Sequence, residues 1–448
     1  MFPGTAGLPK GLTEQSLNDF GPRFGFAYQL DPKTVLRGGY GVSYIPTFGP
    51  GGTAAGAGFA VNTLMVTSID GGLTPYNTLA NPFPDGLDQP TGNRLGAMTG
   101  VGGAVTGQLR DVRRGYSQQW NLTVQREPWA NWLFEAAWVG NHGARLTMSG
   151  RPLNILDNRY LSWGTQLLQQ ISNPFYGIIT TGSLATRTIT VRQLLLPHPQ
   201  FTSVSGGSAY LGNSIYHAFT LKVEKRFSQG FSLLAAYAAS KLIDDLQATG
   251  RPGAVSGTAV QDWQNLRAER SRSYQDLPQR LVITALWEIP YQPANRALRA
   301  IAGGWQLNGI STIHSGRSIA LSATISNGGN RPNAVPGVRS KPSDQSLNHW
   351  FNIAAFAQPP AFTYGNVSRT LPDIHGPRFY NLDASLFKTF PISEQVKLQF
   401  RAEAFNLTNT PSFEVPDGRL ASATFGMVTA TMTPARTREI QLVLRLTF

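Results

Sequence analysis

The sequence predicts an all-β fold, an antiparallel up-and-down transmembrane β-barrel, with about eleven strands present in the chain. Three observations predict it. Apolar residues recur with a period of two rather than 3.6. The links between the alternating segments are short and long in turn. Aromatic residues gather near the segment ends.

The segments lie near 22–30, 34–45, 117–127, 132–142, 216–227, 230–241, 279–289, 304–315, 378–389, 394–407 and 437–448. Asp31-Pro32-Lys33 is a tight turn between the first two. In the third, Trp120, Leu122 and Val124 alternate with Asn121, Thr123 and Gln125, and Pro128 to Asn131 turns the chain into the fourth. In the fifth, Phe219, Leu221 and Val223 alternate with Thr220, Lys222 and Glu224, and Ser228-Gln229 leads to the sixth. A moderate link, Pro290 to Gly303, joins the seventh and eighth, and Phe390 to Ser393 joins the ninth and tenth. In the tenth, Leu398, Phe400, Ala402 and Ala404 alternate with Gln399, Arg401 and Glu403. The last is the cleanest: Ile440, Leu442, Leu444, Leu446 and Phe448 oppose Glu439, Gln441, Arg445 and Thr447. A strand with such phases carries one apolar and one polar face.

The remaining links run roughly from 46 to 116, 143 to 215, 242 to 278, 316 to 377 and 408 to 436. Compact soluble domains rarely carry five loops of that length. Strict alternation places all the long loops at one end, as outer-membrane barrels do with short periplasmic turns and long extracellular loops. The final strand then descends to the periplasmic rim, and so does the first visible one. An even-numbered barrel with both ends in the periplasm needs an odd number of strands upstream. Eleven more would give 22, the size of plugged transporters. The chain is thus expected to be the C-terminal portion of a longer barrel.

Composition agrees. Of 448 residues only 14% are charged and 41% are hydrophobic, with 47 Gly, 30 Pro and a net charge of +13. The absence of Cys excludes disulfide scaffolds and thiol chemistry. No apolar stretch reaches the ~18 residues of a transmembrane helix, and Met1-Phe2-Pro3-Gly4-Thr5 does not open a signal peptide. A secreted β-sandwich or propeller is the competing fold. Aromatics at Tyr40, Tyr44, Trp120, Trp129, Trp132, Trp138, Trp287, Tyr291 and Trp305 suit interfacial girdles instead. Small residues on the apolar phase (Ala136, Ala235, Ala402, Ala404) suit lipid better than an interlocked core.

The second half also resembles a known family. The stretches Phe219 to Phe227, Tyr237 to Lys241, Ser273 to Val282, Asn330 to Asn333, Trp350-Phe351-Asn352 and Gly376 to Lys388 carry the likeness. So do Phe425-Gly426 and Pro434-Ala435-Arg436. The run from Phe400 to Asn409 is the most specific, with Arg401, Glu403, Phe405, Asn406 and Asn409 as the motif residues. These resemble the Oar-like TonB-dependent receptors of the bacterial outer membrane. Where that family tends to have Asp-x-Arg-His-Arg, this chain has Leu277-Pro278-Gln279 after Asp276. The resemblance implies a regulatory-like domain and a plug ahead of the barrel and outside this chain, and transport or reception of a ligand with energy from a TonB system contacted through those N-terminal segments. It also implies that the terminal strand, Ile440 to Phe448, is read by the barrel-assembly machinery. The competing function is adhesion, with the barrel as an anchor for binding loops.

No catalytic constellation is legible, so no enzyme activity and no cofactor are expected. The six His residues have no i, i+4 pair for a metal. Asp244-Asp245, in a long loop, is expected to be a solvated pair, with a bound cation as the alternative. The glycine runs at 49–58 and 100–107 lack a P-loop ending. The Arg residues, among them Arg110, Arg113, Arg114, Arg187, Arg192, Arg267, Arg270 and Arg272, are too scattered for a nucleic-acid interface. Outer-membrane lipid and lipopolysaccharide are the expected partners of such a surface. Lys222, Glu224, Arg401 and Glu403 are expected to face a watery interior and to pair across strands or with a plug.

Overall fold

The computed structural model describes residues 18–45, 58–63, 65, 67–68, 73–84, 86–107, 109, 113–148, 150–180, 182–246, 259–432 and 437–448. Eleven strands form one antiparallel meander. They are β1 (Arg23–Asp31), β2 (Thr34–Tyr44), β3 (Tyr116–Trp129), β4 (Trp132–Met148), β5 (Ala209–Ser228), β6 (Phe231–Asp244), β7 (Gln279–Glu288), β8 (Trp305–His314), β9 (Phe379–Pro391), β10 (Lys397–Phe405) and β11 (Glu439–Thr447). Each pairs with its sequence neighbour in an open path from β1 to β11, and the short strand Ser271–Arg272 adds a twelfth member against β6.

Local chemistry closes the tight turns. Asp31 accepts the Lys33 amide at 2.8 Å, an Asx turn. Asn131, at φ 68°, turns β3 into β4. Gln229 and Gly230, at φ 53° and 73°, join the paired residues Ser228 and Phe231. Positive φ at both central positions matches the right-handed twist of a two-residue hairpin.

The register puts the alternating residues in rows. On the apolar face Tyr28 lies opposite Leu36, Leu36 opposite Val124, and Val124 opposite Ala136. Further along, Leu221 meets Tyr237, Tyr237 meets Leu281, Leu281 meets Ile313, and Ile313 meets Tyr380. These side chains are exposed where no further layer covers them: Leu122, Val124, Leu221, Leu307, Leu442 and Leu444 are all more than 36% open. Water would not tolerate such a face, whereas lipid requires it. Along β9 the row from Tyr380 to Phe390 extends ~33 Å, which a tilt near 40° reduces to about 25 Å of membrane height. Trp120, Trp138 and His217 cluster on this face toward the long-loop end, with ring centroids 5.8–6.2 Å apart.

β4 and β5 extend six residues past 142 and seven before 216. The periodicity ends where lipid ends, but backbone pairing continues beyond it, so hydrophobic alternation marks only part of each strand.

Two compact units are present. One contains the described residues of Pro46–Arg114 and Thr147–Tyr210. It has a small core of Ile179, Leu184 and Ile189 and is tied by buried Asn173, which donates to the carbonyls of Leu184 and Thr186 at 2.9 and 2.7 Å. The other contains most of the sheet and the described residues of three long links, 245–278, 315–378 and 406–438.

Candidate functional site

Those three links leave the end of the sheet opposite the tight turns, and they pack on one another. Ile319, Leu321, Phe351, Phe356, Leu371, Ile374 and Phe425 form a buried core with Ala355 and Val367. Phe351 lies 5.0 Å from Phe425 and 5.7 Å from Phe356, ring to ring and edge on. Trp350 packs beside this core and donates its indole N–H to the His375 carbonyl at 2.8 Å. The long loops therefore carry a core of their own.

Buried ion pairs stitch this cluster to the strand ends. Arg369, 1% exposed, donates to the carboxylate and carbonyl of Asp244 and to the carbonyls of Glu269 and Leu246. Arg331, also 1% exposed, pairs with fully buried Glu269. Burial lowers the pKa of Arg331, and the Glu269 carboxylate opposes that shift. Asp276 accepts Arg272 at 2.9 Å and the Leu242 amide at 2.7 Å. Asp244-Asp245 is thus not the solvated loop pair expected. Asp244 ends β6 and is buried against Arg369, and Asp245 accepts the Asn213 amide.

A cavity of about 540 Å³ opens between two of these links, lined by Ser322, Thr324, Asn330, Arg419, Leu420 and Ser422. Main-chain bonds fix its walls: the Ser322 amide donates to the Gly418 carbonyl and the Leu420 amide to the Ser322 carbonyl, both at 2.8 Å, and the Ala323 amide donates to the Asn330 carbonyl at 2.9 Å. Gly418 permits this approach, because a Cβ there would sit 2.1 Å from the Ala320 oxygen. Arg419 forks onto Asp417 with two bonds of 2.9 Å. That contact, with hydroxyls of Ser422 and Thr424, holds the Asp417 carboxyl far below its usual range and raises Arg419. The cavity therefore offers hydroxyls, amides and one neutralised cation, which suits hydrogen bonding to a polar ligand. Among the described residues no group of three or more His, Asp or Glu side chains comes together to hold a metal.

The motif residues divide by role. Arg401 and Glu403 lie on the polar face of β10, where Arg401 donates to Gln399 at 2.7 Å and covers the Phe387 ring. Lys222 and Glu224 pair at 2.8 Å along one strand. That pairing runs along the strand, while Arg226 of β5 reaches Glu127 of β3 at 3.5 Å across the sheet. Phe405 ends β10, 38% exposed. Asn406, buried at φ 48°, donates its amide to Asp383 at 2.8 Å, and its side chain exchanges two bonds with Thr410. Asn409 accepts the Arg438 amide at 3.2 Å, just ahead of β11. Two of the family-like stretches thus meet where β9 and β10 emerge. Asn406→Ala is expected to cost about 2–3 kcal/mol, from the left-handed φ and the lost bonds. Hydrogen exchange at Thr410 checks it; unchanged protection would refute the assignment.

Ile440, Leu442 and Leu444 are 68–69% exposed on the edge strand, Leu446 is 54% and Phe448 93% exposed. Pro434-Ala435-Arg436, Arg110 and residues 49–57 of the first glycine run lie outside the described residues. Sequence reasoning missed Glu269 and Arg369 as partners. It did single out Asn330 to Asn333 and Trp350 to Asn352, which prove to be parts of the loop core and its buried pairs.

The fold is similar to solved outer-membrane proteins. The outer membrane transporter YddB from Escherichia coli matches with 8% identity and a TM-score of 0.41, over 95% of this chain and 40% of that one. The ferripyoverdine receptor of Pseudomonas aeruginosa matches with 9% identity and a TM-score of 0.40, over 96% and 33%. The ferric-catecholate import receptor Fiu of E. coli K12 matches with 10% identity and a TM-score of 0.39, over 95% and 34%. The chain therefore spans 33–40% of the length of these structures. A search of curated protein sequences finds no match. A family model described as an outer membrane beta barrel domain matches residues 1–441. With its meander of lipid-facing strands and packed loops, the chain belongs to that outer membrane beta-barrel family and resides in the outer membrane.

Proposed function

We infer that the chain is the C-terminal barrel portion of a TonB-dependent receptor of the Oar-like type, taking up a polar ligand captured by its long loops. The packed loop cluster with its hydrogen-bonding cavity carries this reading, because a rigid concave site at the long-loop end suits selective capture. Strand direction supports the larger architecture. β1 and β11 run the same way, so antiparallel closure takes an odd number of further strands, and eleven would give twenty-two. Lipopolysaccharide, the barrel-assembly machinery reading Ile440 to Phe448, and TonB acting through N-terminal segments are the partners in this reading.

Depletion of medium components tests it. A strain deleted for the gene and a strain lacking TonB should both leave behind one solute that the parent removes, and replacing Asn330 with Leu should weaken its capture. Unchanged uptake with lost surface attachment would show an adhesion anchor instead.

A further inference from the structure

We propose that the β7–β8 link and the adjoining apolar face of the sheet bind one anionic phospholipid from the leaflet on the tight-turn side. The link carries α1 (Arg296–Ala302), capped by Asn295, whose side chain accepts the amides of Ala297 and Leu298 at 2.9 and 3.1 Å. Leu298 and Ile301, three residues apart, are 47% and 72% exposed, and Tyr291 beside them is 52% exposed. Arg296 and Arg299 repeat the same spacing and are also exposed. A short segment with apolar side chains open beside arginines fits a membrane interface, with the apolar groups among acyl chains and the cations among phosphates.

The link is pinned in place. The Trp305 indole donates to the Ile301 carbonyl at 3.0 Å. Lys388 stands on the lipid-facing row of β9, yet it is only 4% exposed. Its ammonium donates to the carbonyls of Ile301 and Gly303 and lies over the rings of Trp305 and Phe390. The charge that lipid would reject is thus used to clamp the C-terminal end of α1 against the apolar face.

Beside that clamp the face has a hollow of about 530 Å³, walled by Phe231, Trp287, Leu307 and Leu382. Its floor is a row of small residues across three strands, Ala285 opposite Gly309 and Gly309 opposite Ala384. Leu307 lies two residues from Trp305, roughly 7 Å along the strand, so hollow and α1 are within one lipid's reach. An occupant must be apolar below and anionic above, which an anionic phospholipid is. Glu288, the last residue of β7, is the opposing charge next to this link in sequence, on the phase opposite Trp287, and the two arginines outweigh it.

The full chain, extracted from outer membranes in neutral detergent, is titrated with phosphatidylglycerol or phosphatidylcholine and weighed by native mass spectrometry. Phosphatidylglycerol should be retained as a single copy and preferred on the order of tenfold. Arg296→Gln with Arg299→Gln, on an exposed helix, should abolish the preference and keep phosphatidylcholine binding. Gly309→Leu should lose both lipids; a Cβ there meets nothing nearer than the Asp383 oxygen at 3.8 Å, so the hollow fills and the strand stays. Equal retention of the two lipids by the parent chain would overturn the proposal, as would retention that neither variant changes.

Discussion

Replacing Arg369 with Ala is expected to release the loop cluster from the strand ends at a cost of about 3–5 kcal/mol. The guanidinium is 1% exposed and serves the Asp244 carboxylate together with main-chain carbonyls of Asp244, Leu246 and Glu269. Truncation leaves Asp244 buried and unpaired, and the desolvation of that orphaned carboxylate dominates the cost. Arg369→Lys should recover little, because a single ammonium cannot span those acceptors as a planar fork does. Limited proteolysis within 259–278 and a urea titration read the effect. Strand content should not change; cleavage rates and midpoint equal to the parent's would refute the assignment.

Phe351→Ala should cost a further 3–5 kcal/mol, roughly, by the usual scale for a deleted core aromatic. Phe351 is fully buried and meets both Phe356 and Phe425 edge on. Its neighbour Trp350 reports the change: the emission should shift to the red as the cavity admits water. Phe351→Leu should retain more than half of the stability, since it keeps most of the volume. Combined with Arg369→Ala the loss should fall short of the sum, because both changes loosen the same cluster. Full additivity would mean that core and ion pairs are independent.

Eleven strands were legible because lipid and water on opposite faces force a period of two, and the tight turns carry Asp, Asn and Gly at the positions their geometry requires. The far ends of β4 and β5 were not legible: past residue 142 pairing persists without lipid, and no alternation remains to mark it. The loop core was hidden for a related reason. Ile319, Phe351, Leu371 and Phe425 sit at no regular spacing, and irregular backbone brings them together. Ion pairs such as Asp244 with Arg369 leave no local trace, since either partner alone reads as a surface charge. The turn at Asn406 was half visible. The motif marked it, and the structure supplies the reason, a left-handed residue held by Asp383.

Asp244 and Arg369 are 125 residues apart, and the Glu269 carbonyl is 100 from the arginine it accepts. Contacts so distant in sequence cannot close until β7, β8 and β9 have paired, because only then is the entropy of the intervening chain already spent. The hairpins, each local, can zip beforehand. The outer cluster should therefore be the last part to assemble and the first to let go, a late-forming cover whose opening rate is set separately from the persistence of the ladder beneath it.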